Sequence, residues 1–292
     1  AGRAVELLVV LRPDSPALIP LFALWAASPA LAYVIGQPAI KRERELSEDE
    51  RASALKYARL HWAYYSRFVT EQTHWLAPDN FQEDPAPAVA MRTSPTNIGL
   101  QHLATVTARD LGFITLEDMA RRLELAMRSM ERLTRFRGHL YNWYDLHDLR
   151  VLEPRYVSTV DSGNLAGHLI ALRQALLSAA SEPVDEDLQT QLRVLAERAG
   201  DFAREMDFSF LYDQRRELFA IGYQQSSHAL DPSFYDLLAS EARLASFIAI
   251  ARDQVPVEHW FHLGRTLTRA SGSTALVSWS GSMFEYLMPC LV

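Results

Sequence analysis

The stretch LEDMARRLELAMRSMERLTRF, residues 116–136, repeats Met119, Leu123, Ala126, Met130 and Leu133 at the helical period. The alternation of two that a half-buried strand requires is absent from it, so its methionines read as core filler on one helix face. Working outward, helical patterns also cover residues 47–69, 98–111, 164–180, 185–206, 233–251 and 282–288. The first of these has Leu55, Ala58, Trp62 and Tyr65 on one side and a capping box from Ser47 and Glu50. Strand signals are confined to LFAIGY, residues 218–223, which with the preceding FLYD makes at most one small hairpin. The fold class is therefore all-α, and successive helices joined by long loops suit an α/α toroid with a site at one end of the helices. The proline-rich stretch 78–95 is too interrupted for either regular element, but Trp75, Asn80, Phe81 and Gln82 mark it as an ordered loop.

With 292 residues, of which 49% are hydrophobic, the chain can bury a substantial core. Its net charge of -7, with both signs interspersed, provides no basic patch for a phosphate backbone, so nucleic acid is not an expected partner. The single cysteine, Cys290, excludes an internal disulfide and a multi-cysteine cluster, and the nine histidines form no HExxH-like pair. No metal and no cofactor are expected, since P-loop, dinucleotide and G-x-S-x-G signatures are all missing.

The uncharged run ALIPLFALWAASPALAYVI, residues 17–35, is long enough to span a bilayer. Lys41, Arg42 and Arg44 follow it and place the globular part on the cytoplasmic side. The alternative is an interfacial hairpin of two short helices broken at Pro29. A chain that starts at Ala1 with such a run reads as cut from something longer, with a membrane-proximal segment over 1–45 and one globular domain over 46–292.

Residues 141–168, YNWYDLHDLRVLEPRYVSTVDSGNLAGH, concentrate aromatic faces and short polar side chains in one connection. Trp143, Tyr144 and Tyr156 offer flat apolar surfaces, and Asp145, Asp161 and Asn164 offer groups suited to hydroxyls, which is the composition of a sugar site. Asp161 or Ser162 would equally serve as the cap of the helix carrying Leu165, Leu169, Leu172 and Leu176. Arg92, Thr93 and Asn97 in RTSPTN, Tyr212 and Asp213 in LYDQRR, and Tyr235 are further ligand-contact candidates. So are Trp279, Glu285 and Tyr286 in SWSGSMFEY, although Ser282 with Glu285 makes a capping box first. The sharpest candidate is Glu241. In an expected helix over 233–251 it falls within the apolar stripe of Phe234, Leu237, Leu238, Leu244, Ala245 and Ile248. An inward carboxyl has its pKa raised, as a general acid needs, or else forms a buried ion pair with an arginine such as Arg265 or Arg92.

Together, RTSPTNIGL, YNWYD, PRYVSTVDSGNLAGHL, LYDQRRELFAIGY, DPSFYDLLASEARLASFIAIARDQVP and SWSGSMFEYLMP closely resemble the cyclic β-1,2-glucan synthases, from about Ser28 onward. That resemblance implies a very large bacterial inner-membrane protein with a glycosyltransferase, a central glucoamylase-like α/α barrel and a phosphorylase-like region, of which this chain is the last membrane segment joined to most of the barrel. The barrel would be an incomplete (α/α)6 toroid whose partners are β-1,2-glucan and the other domains of the same polypeptide. It implies retaining transglycosylation that closes linear β-1,2-glucan into a ring, with Glu241 as acid/base. The second glutamate, the nucleophile, is expected beyond Val292, so the chain alone should bind glucan poorly and catalyse nothing. An endo-β-1,2-glucanase and a non-catalytic glucan-binding scaffold are the alternatives.

Overall fold

Ile19–Gly36 forms one continuous helix, α1, in a computed structural model that describes residues 19–36, 45–239 and 241–288. None of its 18 residues is buried, and by length and composition it can cross a membrane. Pro29 does not break it into the two short helices considered above. Proline deprives the Trp25 carbonyl of its amide donor, and the Ser28 hydroxyl donates there instead at 2.8 Å. Residues 17–18, the basic Lys41, Arg42 and Arg44, and Cys290 lie outside the described residues.

The chain divides into two compact units, 1–51 and 52–292, with the boundary inside the helix α2, Glu48–Phe68. The expected capping box starts that helix: the Ser47 amide donates to Glu50 Oε2 at 2.9 Å and the Glu50 amide to Ser47 Oγ at 3.3 Å.

After α2, the α-helices among the described residues of the second unit are α3 (Pro95–Asp110), α4 (Leu116–Glu131), α5 (Thr159–Ala179), α6 (Glu186–Glu205), α7 (Ala242–Ala251), α8 (Glu258–His262) and α9 (Met283–Leu287). Side-chain oxygens of Ser94, Thr115, Ser158 and Asp185 cap α3 to α6, which is why each starts where it does. α5 is the hub, packed against α3, α6 and α7. Leu165, Leu169, Leu172 and Leu176 are fully buried on it, and Met119, Leu123, Ala126 and Met130 of α4 are buried as their spacing predicts.

Three expectations shift. α4 ends at Glu131 rather than 136, because Arg135–Phe136 (β4) pairs with His139–Leu140 (β5) around Arg137 and Gly138, both at positive φ. Such a two-residue turn suits glycine, and a Cβ on Gly138 would sit 2.0 Å from the Glu205 carbonyl oxygen. α5 starts at Thr159, capped by Ser158 and not by Asp161 or Ser162. The helix expected over 233–251 forms only from Ala242. Asp231 and Asp236 accept the amides of Ser233 and Leu238, both at 3.0 Å, and Phe234 bridges to Ala220, so local side-chain bonds outcompete the helical ladder there.

Strand pairs are short but more numerous than the single hairpin expected. That hairpin is present, Tyr212–Asp213 (β8) with Leu218–Phe219 (β9). In addition Phe81–Gln82 (β1) pairs with Ala88–Val89 (β2), Arg92–Thr93 (β3) with Tyr144–Asp145 (β6), and Leu267–Ala270 (β12) with Ser273–Leu276 (β13). Tyr156–Ser158 (β7), Gly222–Gln224 (β10) and Ala229–Leu230 (β11) form a three-stranded sheet that delivers the chain into α5. Thr159 ties that junction, donating from Oγ1 to Ala220 O at 2.7 Å. The loop at 78–95 is ordered as expected: Tyr64 donates to Pro78 O at 2.7 Å, and the Phe68 and Phe81 rings lie 4.9 Å apart.

Candidate active site

Glu241 occupies the residue immediately before α7, with its side chain 6% exposed. It is inward because the first turn of α7 packs closely against α5, not because it belongs to a helical stripe that includes Phe234 and Leu237. Gly163 and Gly167 open the approach: a Cβ on Gly163 would lie 2.5 Å from Ala245 Cβ, and one on Gly167 2.9 Å from the Leu244 side chain. Small residues four apart on one helix face let two backbones come together.

That approach puts the fully buried Asn164 against the acid. Its Nδ2 donates to Glu241 Oε1 at 2.7 Å and to Thr96 Oγ1 at 3.1 Å, while its Oδ1 is buried without a hydrogen-bond partner. The Thr96 hydroxyl in turn donates to Asp161 Oδ1 at 2.6 Å. With the Asn142 amide oriented so that its nitrogen donates to Asp161 Oδ2 at 3.1 Å, its oxygen accepts from the Trp143 indole N–H at 3.1 Å. The Arg92 guanidinium lies 4.3 Å over the Trp143 ring and is held by Asp79 Oδ2 at 2.9 Å. Asn97 Nδ2 donates to the other Asp79 oxygen at 3.4 Å.

Burial raises the Glu241 carboxyl above the usual range, and the charge of Asp161 adds to this, against the opposing pull of the Asn164 amide and the Glu241 backbone N–H. Both arginines weighed as ion-pair partners are engaged elsewhere, Arg92 with Asp79 and Arg265 with the carbonyls of Leu263 and Trp260 at 2.7 and 2.6 Å. Tyr235, whose ring lies 5.9 Å from that of Trp279, is pushed up by burial and then by the charges of Asp161, Tyr156 and Glu241, so it is a neutral phenol beside the acid. Further along the seam between α3 and α5, burial pushes His102 and His168 down to about 4, leaving both neutral at pH 7.

Contacts relayed by Thr96, Asn142 and Asp79 thus connect Glu241, Asn164, Asp161, Trp143, Arg92 and Asn97, and Tyr235 places Trp279 nearby. Other sequence candidates are used structurally. The pairing of β3 with β6 matches Arg92 to Asp145 and Thr93 to Tyr144, so alternation turns the first pair outward and buries the second completely. The Tyr144 hydroxyl accepts from the Tyr141 amide at 2.7 Å and donates to Thr134 O at 2.6 Å, which is core chemistry rather than sugar contact. Tyr144→Phe should therefore destabilise the fold by about 1–3 kcal/mol, read as a lower thermal midpoint, by orphaning a buried amide. Asp145 is occupied by the amide and ring of His147, at 2.8 and 2.7 Å. Asp213 caps its own turn, accepting the amides of Arg215 and Arg216 at 2.8 and 2.9 Å, and Tyr212 packs edge-on against Phe219 and His259.

Glu285 keeps the capping role that Ser282 announced. Against the upward push of burial, the amides of Ser280 and Ser282 hold its carboxyl below the usual range, the opposite of a general acid. Tyr286 likewise bonds backbone, accepting from Ser278 N at 3.1 Å and donating to Leu276 O at 3.0 Å. Sequence reasoning missed Thr96, Asn142 and Asp79, because a threonine in the first turn of a helix and an asparagine and an aspartate in loops have no signature apart from their neighbours in space.

Over 94% of its length the chain is 35% identical to the cyclic β-(1,2)-glucan synthase NdvB of Rhizobium meliloti. This chain belongs to the cyclic β-(1,2)-glucan synthase family. It spans 14% of the length of that relative. No protein-family model matches it. Among solved structures, a candidate glucoamylase from Bacteroides caccae superposes with a TM-score of 0.66 and 16% identity, over 81% of this chain and 58% of the other. An endo-β-1,2-glucanase from Chitinophaga pinensis, in complex with sophorotriose and glucose, superposes with a TM-score of 0.62 and 16% identity, over 80% of this chain and 56% of the other. The fold of this family member is therefore the glucoamylase-like α/α architecture expected from its helices, and the match covers part of each neighbour.

Proposed function

We propose that the cluster around Glu241 is the acid/base centre of a domain that cyclises linear β-1,2-glucan by retaining transglycosylation, within a membrane-bound cyclic glucan synthase. The observation that supports it most directly is Glu241 itself: a buried carboxyl, raised in pKa and held by Asn164, beside aromatic and amide groups of the kind that grip sugars. A relative named for making cyclic β-(1,2)-glucan and a fold neighbour solved with β-1,2-linked sugar agree with that chemistry.

In this reading Glu241 protonates the glycosidic oxygen while a second carboxylate attacks the anomeric carbon, forming a glycosyl-enzyme. That nucleophile is a glutamate contributed from elsewhere in the longer polypeptide. Glu241, now ionised, takes the proton from the 2-hydroxyl at the far end of the same glucan, whose oxygen displaces the enzyme and closes the ring. Asp161, Arg92, Asn97, Tyr235, Trp143 and Trp279 position the sugar rings, while the fully buried Asn164 holds Glu241. α1 anchors the protein in the bacterial inner membrane with this domain on the cytoplasmic face, the side favoured by the basic residues after it.

The experiment is product analysis by mass spectrometry with the full-length polypeptide and linear β-1,2-glucan. Cyclic products, each lighter by one water than the linear chain of equal length, are expected. Short linear oligosaccharides alone would identify a hydrolase and sink the cyclisation reading.

A further inference from the structure

We propose that Thr96 is a positioning residue that joins Asp161 and Glu241 into one hydrogen-bonded unit and thereby dictates which face of the Asn164 amide meets the acid. This rests on the role of Glu241 set out above.

The direction of each bond carries the argument. The Thr96 hydroxyl has a single proton, which its 2.6 Å bond commits to the carboxylate of Asp161, so what Thr96 presents to Asn164 is a lone pair. Only the amide nitrogen can answer a lone pair, and it does so at 3.1 Å. The other Nδ2 proton is then aimed at Glu241 Oε1, at 2.7 Å, and the amide oxygen is turned into a dry place where it has no partner. An asparagine free to choose would not leave a buried oxygen orphaned. The orphan is therefore the mark of an orientation imposed by Thr96. The imposed face donates to Glu241, which favours the ionised carboxylate and restrains the upward push of burial, keeping the acid able to act as a base in the second half of the reaction.

Position makes this possible. Thr96 is the second residue of α3, after the Ser94 cap and Pro95, where its side chain faces α5 one turn from Gly99, whose lack of a Cβ leaves room for His168. Asp161 on α5 and Tyr235, in the segment before α7, interact electrostatically with the acid, Tyr156 on β7 acts on Tyr235, Arg243 follows two residues on in α7, and His102 on α3 and His168 on α5 lie further along the seam. Neither histidine is charged at pH 7, and the two phenols stay protonated through the working range.

The sign follows. Without the hydroxyl, the Asn164 amide turns to offer its oxygen to a protonated Glu241, and the acid holds its proton to higher pH. In the full-length protein, Thr96→Val should move the alkaline limb of kcat/KM upward by about half a unit to one unit, the effect of one hydrogen bond. Thr96→Ser, which restores the hydroxyl, should return the limb to its wild-type position. Thr96→Ala repeats the measurement should valine disturb the start of α3. A limb unmoved in both hydroxyl-free variants, with only kcat lowered, would make Thr96 a packing residue and overturn the proposal, as would a serine variant shifted like the valine one. The control is Glu241→Gln: full activity there would overturn the acid assignment itself, whereas its inactivity with an unmoved limb in Thr96→Val defeats the Thr96 proposal alone.

Discussion

Glu241→Gln in the full-length protein should lower cyclisation of linear β-1,2-glucan by about a hundred- to ten-thousand-fold, the range for loss of a positioned general acid. Glutamine keeps the shape and can still accept the 2.7 Å bond from Asn164, so the fold and sugar binding should survive. What it cannot do is release a proton to the leaving oxygen or recover one from the incoming hydroxyl. The loss should therefore depend on the leaving group. With an activated aryl glycoside, whose phenolate departs without help, formation of the glycosyl-enzyme should recover most of the lost rate, seen as a burst of phenolate. An equal loss on both substrates would assign Glu241 to structure rather than proton transfer. Wild-type cyclisation by the variant would remove it from the mechanism entirely.

Gly163→Ala should disrupt the packing of α5 against α7, the contact that sets the position of Glu241. The new Cβ would meet Ala245 at its Cβ, Cα and backbone nitrogen, at 2.5, 2.7 and 2.7 Å, and a backbone cannot swing aside as a long side chain does. Overpacking of that kind costs about 1–3 kcal/mol, which a thermal melt reads as a midpoint lowered by several degrees. If α7 instead retreats to relieve the clash, Glu241 moves away from Asn164 and activity falls while the melt changes little. A variant with wild-type stability and wild-type activity would show that α5 and α7 do not approach as closely as their glycine-mediated contact requires. Gly167→Ala is the milder comparison, because its Cβ meets only the flexible end of Leu244.

The helices were legible because burial follows period: on α4 and α5 each residue singled out by spacing is in the core. Their ends were less so. α5 begins at Thr159 because β7, pinned to β10, delivers Ser158 as the cap, and that pairing joins residues far apart in the chain. Glu241 was expected to point inward and it is buried, yet for another reason than the one its spacing suggested. The stripe through Phe234 and Leu237 presumed a helix that the Asx turns at Asp231 and Asp236 prevent, and the same inward position arises from the docking of a shorter helix. Tyr144 and Asp145 fell the other way. Composition alone cannot tell which side of a strand faces a ligand, and their pairing with Thr93 and Arg92 turns one into the core and leaves the other to His147.

Sequence alone determined the helical class, the apolar segment that became α1, and the carboxylate and amide set proposed for a sugar site, because periodicity and composition are properties of single segments. Tertiary structure alone decided which members of that set touch. The chain from Trp143 through Asn142, Asp161, Thr96 and Asn164 to Glu241 is drawn from α3, α5, the turn after β5 and the residue before α7. The polarity of each bond in it depends on the bond before, and no local pattern records a preference that is settled by the meeting of three helices.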